Sequence, residues 1–159
     1  MYLHARSQPR VSDVLQFNRR VEYGLGIVAT LARNPGELHS ARSVSEATHI
    51  PFDMVTKCLQ RMHRAGFCEA VQGKKGGYRL TCDPAKTTLG AYISAIFEPV
   101  AVAECLAKSG SDCVLLGECD LRSPMERLNQ RFEDLLNEMS LAEFLGLPAT
   151  SSTGSSNDN

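Results

Sequence analysis

Apolar side chains recur at helical spacing along the first third of the chain. Leu15, Val21, Leu25, Val28, Ala29 and Ala32 can share one face of a helix running from about Leu15 to Arg33, which Asn34-Pro35-Gly36 ends. Ser43-Val44-Ser45-Glu46 has the form of a capping box and predicts the start of a short helix, broken at Thr48-His49-Ile50-Pro51. Pro51 suits the first position of a further helix, where its missing N–H costs nothing. That helix runs to about Arg64, with Val55, Leu59 and Met62 facing inward and Asp53, Thr56, Lys57, Gln60 and Arg61 outward; Gly66 terminates it. The pattern then shortens to two strand-like runs, residues 67–71 and 78–81, around Gln72-Gly73-Lys74-Lys75-Gly76-Gly77.

Beyond the hairpin, Thr88 is placed to cap a helix from Leu89 to about Glu98, ended by Pro99. Ser123-Pro124-Met125-Glu126 combines an N-cap, a proline at the first position and a capping box. Met125, Leu128, Phe132, Leu135, Met139 and Ala142 follow at alternating three- and four-residue steps, a heptad-like seam. Such a seam either meets its copy in a dimer or lies on its own domain, and the small core available favours the dimer. Ser140-Leu141-Ala142-Glu143 can restart the helix as a separate turn, and the Ser/Thr/Asn-rich end is expected to be disordered.

Two short helices with a tight bend, followed directly by a hairpin, predict a winged helix-turn-helix. The expected class is mainly α with a small β wing and a long C-terminal dimerisation helix. The expected divisions are an arm at 1–14, the winged DNA-binding domain at 15–87, a connecting helix and cysteine-rich loop at 88–121, the dimerisation region at 122–146 and a tail at 147–159.

Charge sharpens this picture. The 159 residues carry a net charge of −1, which conceals a division along the chain. Residues 51–82 hold Lys57, Arg61, Arg64, Lys74, Lys75 and Arg79 against only Asp53 and Glu69, while the acidic excess lies after residue 97. A basic patch confined to the second helix and wing is the electrostatic footprint of a duplex-binding surface. Lys57, Arg61, Lys74, Lys75 and Arg79 are then candidates for phosphates, and Thr56 and Gln60 for base edges. No apolar run approaches the ~20 residues of a membrane span, and the first residues lack a signal-peptide core, so the expected location is cytoplasmic. Neither a nucleophile–base constellation nor a dinucleotide or phosphate-loop fingerprint occurs.

The remaining chemistry lies in six cysteines. Cys105, Cys113 and Cys119 fall at C-x7-C-x5-C spacing in a polar, glycine-broken stretch. Thiolates suit soft metals and iron–sulfur clusters, whereas structural zinc sites usually use closer pairs. Cys58, Cys68 and Cys82 fit small buried residues, and His4, His39 and His63 have no ligand spacing.

Winged helix, cysteine triplet and long helix, in that order, resemble the iron–sulfur-binding winged-helix regulators of the IscR, NsrR and RirA type. The resemblance covers about Leu15 to Leu147 and is carried by Ile50-Pro51, Ala65-Gly66-Phe67, Gly73-x-x-Gly76-Gly77-Tyr78-x-Leu80 and the three cysteines. It implies that Cys105, Cys113 and Cys119 hold a cluster, 4Fe–4S or 2Fe–2S, whose state sets DNA affinity. It also implies a homodimer on a palindromic operator. The x7/x5 spacing is closer to the nitric-oxide and iron-responsive branches than to the assembly-regulator branch. That branch has a ligating His where this chain has Arg122, which cannot ligate while charged. Glu22 matches an early acidic ligand that some members supply from the partner subunit, although a Glu in a first helical turn is equally a solvated residue favoured by the dipole. His49 stands where the family usually has Gly in the bend, and His tolerates left-handed geometry better than most residues.

The resulting expectation is a repressor whose operator binding answers to nitric oxide, iron or redox state. One rival is a cluster-free regulator governed by thiol chemistry or by a protein partner; another is a redox or electron-transfer protein.

Overall fold

The computed structural model describes residues 17–97, 101–106 and 119–148. The predicted arm and most of the tail lie outside them, as do Glu98, Pro99 and Cys113. The elements are α1 (Arg19–Arg33), α2 (Ala41–Thr48), α3 (Phe52–Arg64), β1 (Cys68–Val71), β2 (Gly77–Leu80), α4 (Leu89–Ile96), α5 (Arg122–Glu138) and α6 (Leu141–Phe144). This is the expected mainly helical chain with one small antiparallel hairpin.

α1 begins at Arg19, because the Asn18 side chain accepts the Arg20 N–H at 3.0 Å and supplies the cap. Its inward stripe includes Val21, Leu25, Ile27, Val28 and Leu31, all buried. α2 also starts earlier than its serines suggest. Ser40, not Ser43, is the N-cap and accepts the Ser43 N–H at 3.0 Å. The cause is tertiary: His39 exchanges backbone hydrogen bonds with Tyr78 at 2.9 and 2.8 Å, so extended chain ends there and helix follows at once.

His49 makes the helix-turn-helix bend with φ 57° and ψ 18°, the left-handed geometry that terminates α2. Ile50 is buried behind it, and its carbonyl accepts the Ser45 hydroxyl at 2.7 Å. Pro51 proves to be the N-cap of α3 rather than its first residue. Val55, Cys58, Leu59 and Met62 of α3 are buried. At its end the Phe67 N–H reaches Met62 O at 2.9 Å and the Gly66 N–H reaches His63 O at 3.1 Å. With Gly66 at φ 81°, these two bonds form a Schellman motif, which turns the chain directly into the wing.

β1 and β2 pair Cys68 with Leu80 through Val71 with Gly77. Gly77 has no room for a β-carbon, which would lie 2.6 Å from the His39 carbonyl oxygen. Thr88 caps α4 as expected, accepting the Ala91 N–H at 3.1 Å; the helix stops at Ile96. Tyr92 is fully buried, sets its ring edge-on to Phe67 and donates its hydroxyl to Gly24 O at 2.8 Å, joining α4 to α1.

α5 starts at Arg122, with Leu121 as a cap that makes no side-chain bond. Ser123 is therefore inside the helix, where its hydroxyl accepts from Arg127 Nη1 at 2.8 Å. The seam does not continue through one helix either. α5 ends at Glu138, and Ser140 caps α6 by accepting the Glu143 N–H at 3.1 Å. Leu89 N–H to Met139 O (2.9 Å) and Leu141 N–H to Thr87 O (2.7 Å) fasten this junction to the start of α4, with Leu141 fully buried. Leu136 is buried against the winged domain, while Leu121, Leu128 and Leu135 remain 65%, 52% and 52% exposed.

Candidate nucleic-acid interface and cysteine segment

The outward face of α3 carries the expected polar row. Asp53, Lys57, Gln60 and Arg61 are exposed, and Thr56 is half-buried. Thr56 donates its hydroxyl to Phe52 O at 2.9 Å, so toward a ligand the oxygen is left as an acceptor. Lys57 lies 3.9 Å from Asp53 across one helical turn. Both side chains are largely exposed, and such a pair holds a lysine only weakly. Arg61 is more firmly placed: its Nη1 donates to Ile96 O at 3.2 Å and so joins α3 to the last carbonyl of α4.

At the wing, Lys74 and Lys75 are exposed at the tip between the strands. Arg79 is engaged across the hairpin, donating from Nε to Glu69 Oε1 at 2.6 Å and from Nη2 to the same oxygen. Pattern reading passed over Phe52. It sits three residues before Val55 and so reads as core, yet it is 53% exposed because no element lies beyond the helix start to cover it. An apolar ring at the head of a recognition helix is suited to contact a thymine methyl.

Of the three spaced cysteines, Cys105 lies in a 3-10 turn (Glu104–Leu106) and Cys119 just before α5; both are half-buried free thiols. Arg122 donates its N–H to Cys119 O at 3.2 Å, tying that cysteine to the head of the helix. Cys113 lies outside the described residues, and Glu22 is exposed in the first turn of α1. Two free, partly accessible thiols fit the donor chemistry of a soft metal centre. Among the described residues no group of three or more ligands is assembled. Cys58, Cys68 and Cys82 belong to the interior, as expected. Burial pushes the thiols of Cys58 and Cys68 up to about 12 and raises that of Cys82, which keeps them protonated and poor ligands.

With this geometry in view, comparison with known proteins is decisive. A family model, Rrf2, described as an iron-dependent transcriptional regulator, matches residues 17–146. The chain belongs to the Rrf2 family. This Rrf2 chain is 28% identical over 132 residues to the HTH-type transcriptional regulator NsrR of Geobacillus kaustophilus, covering 82% of this chain and 90% of that one. Its fold is similar to that of T. potens IscR (TM-score 0.63, 21% identity, 85% of this chain and 89% of that one). It is equally similar to the oxidized form of Staphylococcus aureus CymR (TM-score 0.63, 20% identity, 86% and 100%). Family membership makes this Rrf2 chain a transcriptional regulator of the winged-helix type and removes the enzyme rival. Among the described residues no helix is long and apolar enough to cross a membrane.

Proposed function

We propose that two copies of this chain form a cytoplasmic repressor that binds a palindromic operator and loses affinity when an iron–sulfur cluster is altered by nitric oxide, iron limitation or oxidation. The observation that carries this reading is the likeness to NsrR over nearly the whole described chain, combined with free thiols at the head of α5. α3 enters the major groove, where Gln60, Thr56 and Phe52 meet base edges; Lys57, Lys74 and Lys75 meet phosphates. Arg61 and Arg79, each already holding an intramolecular acceptor, contribute to the same positive surface. The leucines left open on α5 are the surface on which the second copy packs.

Cys105, Cys113 and Cys119 would hold the cluster, with Glu22 of the partner subunit as the fourth ligand, 4Fe–4S or 2Fe–2S. Bound there, such a group supplies a centre that reacts with nitric oxide and oxidants. The chain's own residues do the rest. The segment between α4 and α5 begins at Ile96, whose carbonyl Arg61 of α3 holds, and ends at Cys119, which is tied to α5. A change in the span of that segment therefore bears on the recognition helix at one end and on the dimer helix at the other.

The test is anaerobic purification followed by visible absorption and by iron and acid-labile sulfide per chain. Near-stoichiometric sulfide with a broad charge-transfer band supports the cluster. Protein that stays colourless after anaerobic reconstitution sinks it. Cys113→Ala is expected to abolish the response of operator binding to nitric oxide, and Glu22→Ala to alter the absorption or shorten the life of the bound cluster. A second reading, a cluster-free thiol switch on the same fold, is favoured by the likeness to CymR, whose structure is known in an oxidized form. It predicts colourless protein whose DNA affinity changes on treatment with peroxide and recovers with a dithiol.

A further inference from the structure

A cavity of about 330 Å³ opens beside the outer face of α3, where α3 meets the first turn of α1 and the end of α4. Arg20, Lys57 and Arg61 line it, and among the described residues no carboxylate does. Cations converging on one concave surface repel one another, and an anion placed between them relieves that repulsion. The internal partners of these cations are modest: Lys57 has an exposed carboxylate at 3.9 Å, and Arg61 has one backbone carbonyl at 3.2 Å. The other walls are Tyr23, Met54 and Phe97. Phe97 is locked in place, since a β-carbon on Gly24 would collide with its ring. Two rings and a thioether accept a flat apolar body, and pockets of this size and mixed lining are typical of small-molecule sites. The Cys58 thiol also lines the cavity; held protonated by burial, it is unsuited to covalent capture.

We propose that this cavity binds a small anionic compound with a single planar ring, of the aromatic phosphate or carboxylate class, and that the bound anion competes with DNA phosphate for Lys57. Only the competition rests on the DNA reading of α3; binding at the cavity does not. Lys57 is the shared residue, exposed on the recognition helix and lining the cavity at once. Occupancy would thus couple a metabolite to operator affinity by a route independent of Cys105, Cys113 and Cys119.

The experiment uses the full chain at fixed ionic strength, because salt alone weakens duplex binding. Phenyl phosphate, benzamide and inorganic phosphate are titrated by ligand-observed NMR, and each is then added to a complex with a fluorescein-labelled duplex read by anisotropy. The expected result is that phenyl phosphate binds roughly tenfold tighter than benzamide or inorganic phosphate and weakens duplex binding several-fold. Arg20→Gln should lose the preference for phenyl phosphate over benzamide while keeping its duplex affinity. Tyr23→Leu should lose the preference over inorganic phosphate. Equal binding of phenyl phosphate and inorganic phosphate would show a bare cationic patch and overturn the proposed class, as would unchanged preferences in both variants. Binding of phenyl phosphate with no effect on the duplex overturns the competition. A wild-type chain that fails to bind duplex without any additive counts against the DNA interface instead.

Discussion

At the scale of single residues, the side chains of the proposed interface separate by the kind of bond each can make. Lys75 can offer only a point charge at the wing tip, so Lys75→Ala is expected to weaken duplex binding for every sequence. It should also reduce the slope of log affinity against log salt by about 1. Phe52 releases no counterion. Phe52→Ala should leave that slope unchanged and reduce discrimination at a thymine-bearing position, by about 1 kcal/mol, in a competition assay between operator variants. The interior cysteines contrast with the two described ones near α5. Iodoacetamide at pH 8 should label Cys105 and Cys119 in the folded, cluster-free chain and spare Cys58 and Cys68 until denaturant is added; peptide mass spectrometry reads the outcome. Much of this was legible locally. Val55, Leu59 and Met62 follow from their period, and His49 adopts the bend predicted for it. The partner of Arg61 was not legible, because Ile96 lies 35 residues away and its free carbonyl exists only once α4 ends there.

At the scale of elements, helix starts show what local signals miss. Ser40 and Ser43 are both acceptable caps by type. The choice between them is made by Tyr78, whose backbone holds His39 extended. Ser123 loses its capping role because Leu121 already has helical dihedrals, φ −84° and ψ −10°. The proline beside it is still tolerated, since the first turn needs no N–H from that position. The junction of α1 and α4 is the tightest in the described chain, with Phe97 covering Gly24 and Tyr92 bonded to the Gly24 carbonyl. Gly24→Ala must displace the Phe97 ring and should destabilise the fold by about 1–3 kcal/mol in urea titrations. α5 behaves differently on its two sides. Leu128→Glu is expected to leave the urea midpoint of a monomeric form nearly unchanged and to shift the chain toward monomer in sedimentation equilibrium. Leu136→Ala should lower the stability of the fold itself, by about 2–4 kcal/mol.

At the scale of the whole molecule, the buried thiols set an alkaline limit. Cys58 and Cys68 are raised to about 12 by burial, whereas the same thiols ionise nearer the ordinary value in the unfolded chain. Below that ordinary value both states keep their protons and the stabilisation is intact. As pH rises toward 12 only the unfolded state has lost them, so stability falls. The melting temperature should therefore be flat to about pH 8.5 and decline steadily above it, less steeply in Cys58→Ala, as measured by circular dichroism across a pH series.

The backbone bonds that fasten Met139 and Leu141 to Thr87 and Leu89 also make the intervening chain a closed ring in the topological sense, gathered at one knot beside the start of α4. Its circumference holds all three spaced cysteines. Their encounter is consequently intramolecular even when a peptide bond between residues 107 and 118 is cut. A chain nicked there, or made as two co-expressed fragments, should stay together through gel filtration and retain duplex binding. Severing the knot with Leu141→Asp should let the same fragments drift apart.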